Sequence, residues 1–119
     1  LGVEIFLVEQ VPQQMVDIRQ HYYRLYDQGL TPSERSTALE QFAVPTNYHR
    51  LLQQYSREFF EQIKATTGVK LINFDGSFCN DTVCRFGDIT HGYYQDADHL
   101  STVGALHLVD PLIAAMSSD

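Results

Sequence analysis

The residue types with the richest chemistry stand close together near the end of the sequence, at Asp96, Asp98 and His99. Asp96 and His99 are three residues apart on the approach to a segment with helical spacing, so a turn would place both side chains on one side of the chain. The Asp96 carboxylate could then hold the Nδ1–H of His99, which leaves Nε2 as a base, while Asp98 is expected to point elsewhere. This pair is the acid and base of a Ser-His-Asp arrangement, in which the histidine takes the proton of a nucleophilic serine.

Two other interpretations of this segment stay open. His99 could be a loop histidine that caps the next helix and pairs with a local acid. Alternatively, His91, Asp96, Asp98 and His99 could form a metal site, since imidazole and carboxylate suit zinc or manganese, but their spacing matches no tight ligand pattern. We therefore expect no metal and no other cofactor.

The remaining histidines and a tyrosine cluster carry no functional assignment. The histidines lie on helical segments among polar neighbours, where solvated or core-edge side chains are expected: His21, His49 and His107. The tyrosines could stack on a sugar ring, but aromatic residues at helical spacing more often fill a core or an interface. They are Tyr22, Tyr23 and Tyr26.

The two cysteines, Cys79 and Cys84, lie in a turn-prone loop. Their spacing is wider than Cys-x-x-Cys, and a structural zinc site would need histidine ligands from elsewhere. A small-loop disulfide is therefore expected, which would contribute roughly 2 kcal/mol by restricting the unfolded chain. A disulfide implies an oxidising compartment. The alternative is that both cysteines are free thiols, which would fit the cytosol.

The composition is that of a chain able to form one folded domain. It has 119 residues, of which 44% are hydrophobic, and this is enough for one core and too little for two. The net charge of -7 repels phosphate backbones and anionic membrane surfaces, so nucleic acid is not an expected partner. The longest apolar run, from Ile5 to Val8, is far shorter than the roughly 20 residues that cross a bilayer.

Two segments rich in β-branched and apolar residues predict strands, near 3–9 and 69–74. Between them we predict a helix over 13–27 and a second that begins at the Thr31 capping box and ends near Phe42. A strand, then helices, then another strand is the order that gives a parallel sheet with a right-handed crossover. The predicted fold class is therefore α/β.

A third helix is predicted after the break at Val44-Pro45, with Thr46 or Asn47 as its cap and Gly68 at its end. Its apolar residues recur at helical spacing and predict a stripe that faces the core. They are Tyr48, Leu51, Leu52, Tyr55, Phe59 and Ile63.

The last predicted element is a helix near 101–116 that opens at Ser101 as its cap. Pro111 would clash with the carbonyl of His107 inside a continuous helix. We therefore expect a kink, or a restart with Asp110 as the cap and Pro111 in the first turn.

The block Asp-x-x-His-Leu-Ser-x-x-Gly-Ala at 96–105, after a tyrosine-rich approach, resembles the C-terminal catalytic block of SGNH hydrolases. It is particularly similar to the extracytoplasmic SGNH domains fused to membrane acyltransferases that O-acetylate bacterial surface polysaccharides. Those domains often carry a cysteine-bounded loop upstream, like 79–84 here, and a strand that ends in Val-Pro, like Val11-Pro12 here.

The resemblance implies a role for each matching residue. Asp96 and His99 become the acid and base of the catalytic triad. Ser101 becomes the helix cap, and Gly104 and Ala105 provide close packing.

The resemblance also implies a partial three-layer α/β/α fold of flavodoxin-like type, with 1–119 as a single domain. The Gly-Asp-Ser, glycine and Gly-x-Asn blocks of the family should precede the first strand, and the sequence does not contain them. Four serines lack the Gly-Asp-Ser context and are not assigned as the nucleophile: Ser33, Ser36, Ser56 and Ser77. We therefore expect the C-terminal part of an SGNH domain that is inactive alone. Its open sheet edge and uncovered apolar face predict that it either self-associates or belongs to a longer chain.

For the intact protein, the resemblance implies a serine esterase or O-acyltransferase with an acyl donor and a glycan acceptor. The nucleophile would come from an upstream SGNH segment, and a membrane acyltransferase domain would tether the protein to the inner membrane, facing the periplasm. The alternative is a non-catalytic extracytoplasmic α/β module that binds a glycan or a protein partner, in which Asp96 and His99 are structural.

Overall fold

The computed structural model describes residues 2–117, and its central feature is a pair of parallel strands. Strand β1 is Phe6–Val8 and strand β3 is Lys70–Ile72, with Phe6 opposite Lys70 and Val8 opposite Ile72. The parallel pairing confirms the prediction, but each strand is shorter than its predicted segment. The ladder still extends by one bond beyond β1, because the Glu9 N–H donates to the Ile72 oxygen at 2.8 Å.

Helices connect the two strands in the predicted order. They are α1 (Ile18–Asp27), α2 (Pro32–Phe42) and α3 (Thr46–Thr67). Helix α1 begins later than predicted because the Asp17 carboxylate caps it, accepting the Gln20 N–H at 3.2 Å. The capping box of α2 is confirmed, since Thr31 Oγ1 accepts the Glu34 N–H and the Glu34 carboxylate accepts the Thr31 N–H.

The break between α2 and α3 forms a short strand that the sequence did not predict. Strand β2, Val44–Pro45, pairs antiparallel with β4, Val83–Cys84. The expectation that Thr46 or Asn47 caps α3 is wrong, because Thr46 Oγ1 donates instead to the Asn80 oxygen at 2.9 Å. The Thr46 N–H donates to the Thr82 oxygen at 3.0 Å, so both polar groups of this residue bind the segment before β4.

The expectation that the apolar stripe of α3 faces the core is also wrong. Only Thr46, His49 and Gln53 are buried on this helix. Five of the six stripe residues are exposed and the sixth is half-buried: Tyr48, Leu51, Leu52, Tyr55 and Phe59, then Ile63. The helix turns its polar face inward because charged groups at the strand ends bind it there, as described below. The radius of gyration, 16.1 Å, exceeds the value of about 14 Å typical of a compact domain this long.

The core lies between α1, α2, strand β3 and the segment that follows β3. Its buried members are Ile18, Leu25, Leu39, Ala43, Ile72, Phe74, Phe78, Phe86, Tyr94 and Leu108. Cys79 and Cys84 form a disulfide, as predicted, and Cys84 is fully buried. The Tyr94 hydroxyl donates to the Pro12 oxygen at 2.6 Å, which joins the long C-terminal loop to the end of the β1 segment.

The C-terminal region contains three helices, α4 (Asp75–Phe78), α5 (Thr102–His107) and α6 (Val109–Ser117). The predicted restart is confirmed, with Pro111 in the first turn of α6, although Asp110 also lies in that turn rather than at the cap. Ser101 caps α5 as expected. Among residues 2–117, no helix combines the length and the apolar character needed to cross a membrane.

Gly104 provides a test of the packing at α5. A Cβ at this position would lie 2.0 Å from the Tyr93 oxygen, so we expect Gly104→Ala to lower the free energy of unfolding by roughly 2–3 kcal/mol. Urea denaturation would measure this change. Gly76→Ala is the matched control, since a Cβ there meets nothing within 4 Å, and its change should stay within about 0.5 kcal/mol. Equal changes in the two variants would contradict the close contact.

Candidate active site

Asp96 and His99 lie in a short loop that closes on itself before α5. The Gln95 N–H donates to the His99 oxygen at 2.7 Å, and this bond forms the base of the loop. Inside it, Asp96 Oδ1 accepts the N–H groups of Asp98 and His99 at 3.0 and 2.8 Å. An aspartate that accepts the N–H groups of the next residues stabilises a turn locally, so this segment positions its own side chains.

The His99 imidazole binds the Asp96 carboxylate through Nδ1. The Nδ1–H donates to Asp96 Oδ2 at 2.9 Å, and Oδ1 lies 3.1 Å away. The side chain of His99 is 74% exposed, and Nε2 makes no hydrogen bond with the part of the chain that the structure describes. The ring is therefore held in the tautomer that leaves Nε2 free to accept a proton.

The charges of this loop reinforce one another. Hydrogen bonds from the backbone N–H groups of Asp98 and His99 lower the pKa of Asp96 to about 2. The side-chain hydrogen bond with Asp96 raises the pKa of His99 above its usual 6.5, and the charge of Asp98 adds to this effect. Asp96 thus stays ionised near neutral pH, and His99 holds its proton more tightly than a free imidazole does.

The expectation that Asp98 points away from His99 is wrong. Its Oδ1 lies 3.1 Å from His99 Nδ1, so two carboxylates face the same ring nitrogen. The reason is the tight turn, which brings the residue next to His99 back toward the imidazole. Asp96 makes the hydrogen bond that dominates the pKa, and Asp98 acts mainly through its charge.

The segment after β1 fixes this loop in the fold. The Gln14 N–H donates to the Ala97 oxygen at 2.7 Å, and the Ile18 N–H donates to the Asp96 oxygen at 3.3 Å. The Gln14 side chain is buried, where its Nε2 donates to the Cys84 oxygen and its Oε1 accepts the Val44 N–H, both at 3.0 Å. A single residue therefore connects the Asp96 loop to β2 and to β4, which carries Cys84.

No serine hydroxyl in residues 2–117 is hydrogen-bonded to His99. Ser101 is the nearest serine in sequence, and its hydroxyl donates to the Gly92 oxygen at 2.8 Å and accepts the Gly104 N–H at 3.1 Å. It therefore serves as a helix cap. Gly104 provides close packing as expected, but Ala105 is exposed and does not.

Of the four residues considered for the alternative metal site, only three lie close together in the structure. Donor atoms of Asp96, Asp98 and His99 lie within 4.8 Å of one another, but His91 is not among them. His91 Nδ1 lies 2.8 Å from Thr90 Oγ1 instead. The observed group is an exposed acidic turn, and its hydrogen bonds explain its geometry without an ion.

A second charged cluster, which the sequence analysis missed, lies at the ends of the parallel strands. His49, expected to be solvated or at the core edge, is fully buried, and its Nε2 lies 2.8 Å from Asp75 Oδ1. Arg57 Nη2 donates to Asp75 at 2.9 Å, and Arg57 Nε lies 3.4 Å from the buried Glu9 carboxylate. Asn73 Nδ2 also donates to Glu9. The cluster joins α3 to the residues that follow β1 and β3.

The sequence carried a usable signal for this cluster. His49, Gln53 and Arg57 recur every four residues and so share one face of α3, while Glu9 and Asp75 each follow a strand. The carboxyl ends of parallel strands meet at one edge of a sheet, which brings both carboxylates to the same helix. Burial alone would raise the pKa of Asp75, but the hydrogen bonds from His49 and Arg57 lower it below its usual value.

Comparisons with known proteins identify one family. The model of the family described as "SGNH domain (fused to AT3 domains)" matches residues 1–114. No curated protein and no solved structure matches the chain.

The pKa of His99 gives a testable prediction. Because the neutral imidazole is the base, any activity that needs it should rise with pH through a midpoint above 6.5. We expect Asp96→Asn to shift this midpoint to lower pH, because the hydrogen bond that stabilises the imidazolium is weakened. The pH profile of kcat/KM, or an NMR titration of the His99 ring, would measure it. Asp98→Asn is the matched comparison and should give a smaller shift in the same direction; a larger shift than that of Asp96→Asn would contradict the assignment.

The Asp75 cluster gives a prediction about stability. Asp75→Asn leaves His49 without its carboxylate partner and Arg57 with Glu9 alone, so we expect the free energy of unfolding at pH 7 to fall by roughly 3 kcal/mol. The folded-state pKa lies below the ordinary value of 3.8, so this stabilisation is present above the ordinary value and is lost as pH falls through the folded-state pKa. Urea denaturation at pH 7 and at pH 3 would test both statements.

The control is Asp81→Asn, which removes an exposed aspartate of the same region. We expect its effect to stay within about 0.5 kcal/mol at both pH values. A loss in Asp75→Asn no greater than this would show that the ion pairs do not hold α3 in place.

Proposed function

Because the chain belongs to the family of SGNH domains fused to AT3 domains, we propose that it forms the C-terminal part of a serine esterase or O-acyltransferase domain that transfers acetyl groups to a cell-surface glycan. The family supports a hydrolase- or acyltransferase-like role. The observation that carries the proposal is the hydrogen bond from His99 Nδ1 to Asp96 Oδ2 at 2.9 Å, with Nε2 open to solvent. A general base needs this arrangement, since one nitrogen must be fixed and the other accessible.

The proposed chemistry is acyl transfer through an acyl-serine. As the serine Oγ attacks the acyl carbonyl, His99 Nε2 takes its proton, and Asp96 stabilises the imidazolium that forms. The imidazolium then gives the proton to the leaving group, and the acyl-serine remains. In the second half, His99 removes a proton from the acceptor hydroxyl as its oxygen attacks the acyl-serine. The bond between the acyl carbon and the serine Oγ then breaks, and the imidazolium returns the proton to Oγ. The acceptor is a glycan hydroxyl in a transferase and water in an esterase.

The remaining parts of the site are proposed to come from the same protein. An upstream SGNH segment would supply the serine nucleophile and the oxyanion hole, and would complete a three-layer α/β/α fold of which 1–119 is one piece. Fusion to AT3 membrane acyltransferase domains supports membrane association of the whole protein. The disulfide between Cys79 and Cys84 supports an oxidising compartment, for which we propose the periplasm.

A second candidate function is a non-catalytic module that binds a glycan or a protein partner. The observation that favours it is the exposure of His99, whose side chain is 74% accessible. Catalytic electrostatics are strongest where water is excluded. The described residues 2–117 leave the His99 imidazole open to water. The two candidates differ in one respect, since only the enzyme needs the imidazole of His99.

The test compares the full-length protein with its His99→Ala variant in hydrolysis of p-nitrophenyl acetate. We expect kcat/KM to fall by about 1,000-fold or more, because the general base is lost. The isolated chain is expected to show no hydrolysis. Because His99 is exposed, the variant should keep the thermal stability of the parent protein.

His107→Gln is the matched control, since His107 is also exposed and lies at the end of α5, the helix that follows the Asp96 loop. It should hydrolyse the ester at the parent rate. A His99→Ala protein that retains the parent rate would overturn the catalytic assignment and leave the binding module as the better description.

A further inference from the structure

An open groove of about 590 Å³ runs between α1 and the segment 90–103. One wall consists of Tyr22, Tyr23 and Tyr26, and Thr90, Gln95 and Thr102 are among the polar residues on the opposite side. This volume lies within the range of small-ligand sites, which is about 300–1,000 Å³. The groove joins residues that are far apart in sequence, so it exists only in the folded chain.

The tyrosines of the groove do not fill the core. Tyr23 and Tyr26 are 60% and 59% exposed, which is high for large aromatic side chains. Tyr22 is held in place, because its hydroxyl donates to the Asp88 oxygen at 2.9 Å. Burial raises the pKa of Tyr22 to about 12, so its hydroxyl stays neutral. Exposed aromatic rings beside hydrogen-bonding groups suit a ligand with apolar faces and polar edges, and a sugar ring has both.

The groove lacks acidic lining residues within 2–117, although the chain as a whole is acidic. The chain has 15 acidic and 8 basic residues, but none of the described residues that line the groove is Asp or Glu. Arg19 and His91 are among the lining residues. The Arg19 guanidinium makes no hydrogen bond or ion pair within residues 2–117, so its charge is available to a ligand.

These charges narrow the class of ligand. A cationic ligand would find no carboxylate among the described lining residues, and the nearby Asp88 carboxylate already accepts hydrogen bonds from the Thr90 hydroxyl and the His91 N–H. A nucleic acid carries a phosphate at every residue, which a chain of net charge -7 repels. A sugar chain with a carboxylate on some of its residues matches the guanidinium of Arg19, since Arg35, which lies 5.0 Å over the Tyr26 ring, already donates to the Ile89 oxygen.

We propose that this groove binds an acidic oligosaccharide. Tyr23 and Tyr26 stack against the apolar faces of successive sugar rings, and Arg19 pairs with a sugar carboxylate. The inference deepens the proposed function and rests on it, since the groove would hold the glycan acceptor. Its position supports this, because Gln95 lines the groove and forms the base of the Asp96 loop through its bond to the His99 oxygen.

The experiment measures binding of the full-length protein to an array of immobilised oligosaccharides of four or more sugars. The array pairs members that contain uronic or sialic acid with neutral members. We expect binding to acidic members, with the affinity reduced about tenfold by Tyr23→Ala and by Tyr26→Ala, and retained by Tyr23→Phe, which keeps the ring. Arg19→Ala should reduce binding of acidic members to the level of the neutral ones.

Two control variants remove the same side chains outside the groove. Tyr55→Ala removes a tyrosine of α3 that is 82% exposed, and Arg50→Ala removes an exposed arginine of α3. Both should bind the array as the parent protein does. The inference is overturned if no oligosaccharide is bound, if the groove variants bind like the parent, or if binding is confined to neutral members.

The array also separates this inference from the proposed function, because it needs no acyl donor and no catalysis. Tyrosine-dependent binding by a protein whose ester hydrolysis does not depend on His99 would overturn the triad and keep the groove as a binding site. Hydrolysis that depends on His99, without tyrosine-dependent binding, would overturn the groove and keep the triad.

Discussion

Two carboxylates at the ends of the parallel strands, Glu9 and Asp75, are the constraint to which the rest of the structure conforms. A buried carboxylate is costly unless a cation and hydrogen-bond donors reach it. Helix α3 supplies both from one face, through Arg57 and His49. The helix therefore turns this polar face to the sheet, and its apolar stripe must point away.

Local patterns predicted local structure well. The Thr31 capping box, the glycine end of α3 at Gly68 and the Ser101 cap all depend on residues within a few positions of each other, and the structure contains all three. The Asp96 turn belongs to the same class, because its bonds lie within four residues. The sequence thus placed Asp96 and His99 side by side. The catalytic role of the pair remains a proposal.

Features that depend on distant partners were missed. Strand β2 exists only because Val83–Cys84 pairs with it, and α3 faces inward with its polar side only because Glu9 and Asp75 lie at the strand ends. Helical periodicity predicts one apolar face, and it says nothing about charges that compete for the opposite face. The sequence singles out the three tyrosines but not the groove, since the two walls of the groove are about seventy positions apart along the chain.

The buried amide of Gln14 has a consequence that reaches beyond its own contacts. Its backbone holds the peptide of Ala97, while its side chain joins Val44 to the partner strand at Cys84. The strand pair β2–β4 and the Asp96 turn therefore share one anchor, although they lie far apart along the chain. A substitution of this one side chain would loosen the β2–β4 pair from the segment that carries the Asp96 turn, whereas the turn would keep the local bonds that orient its imidazole.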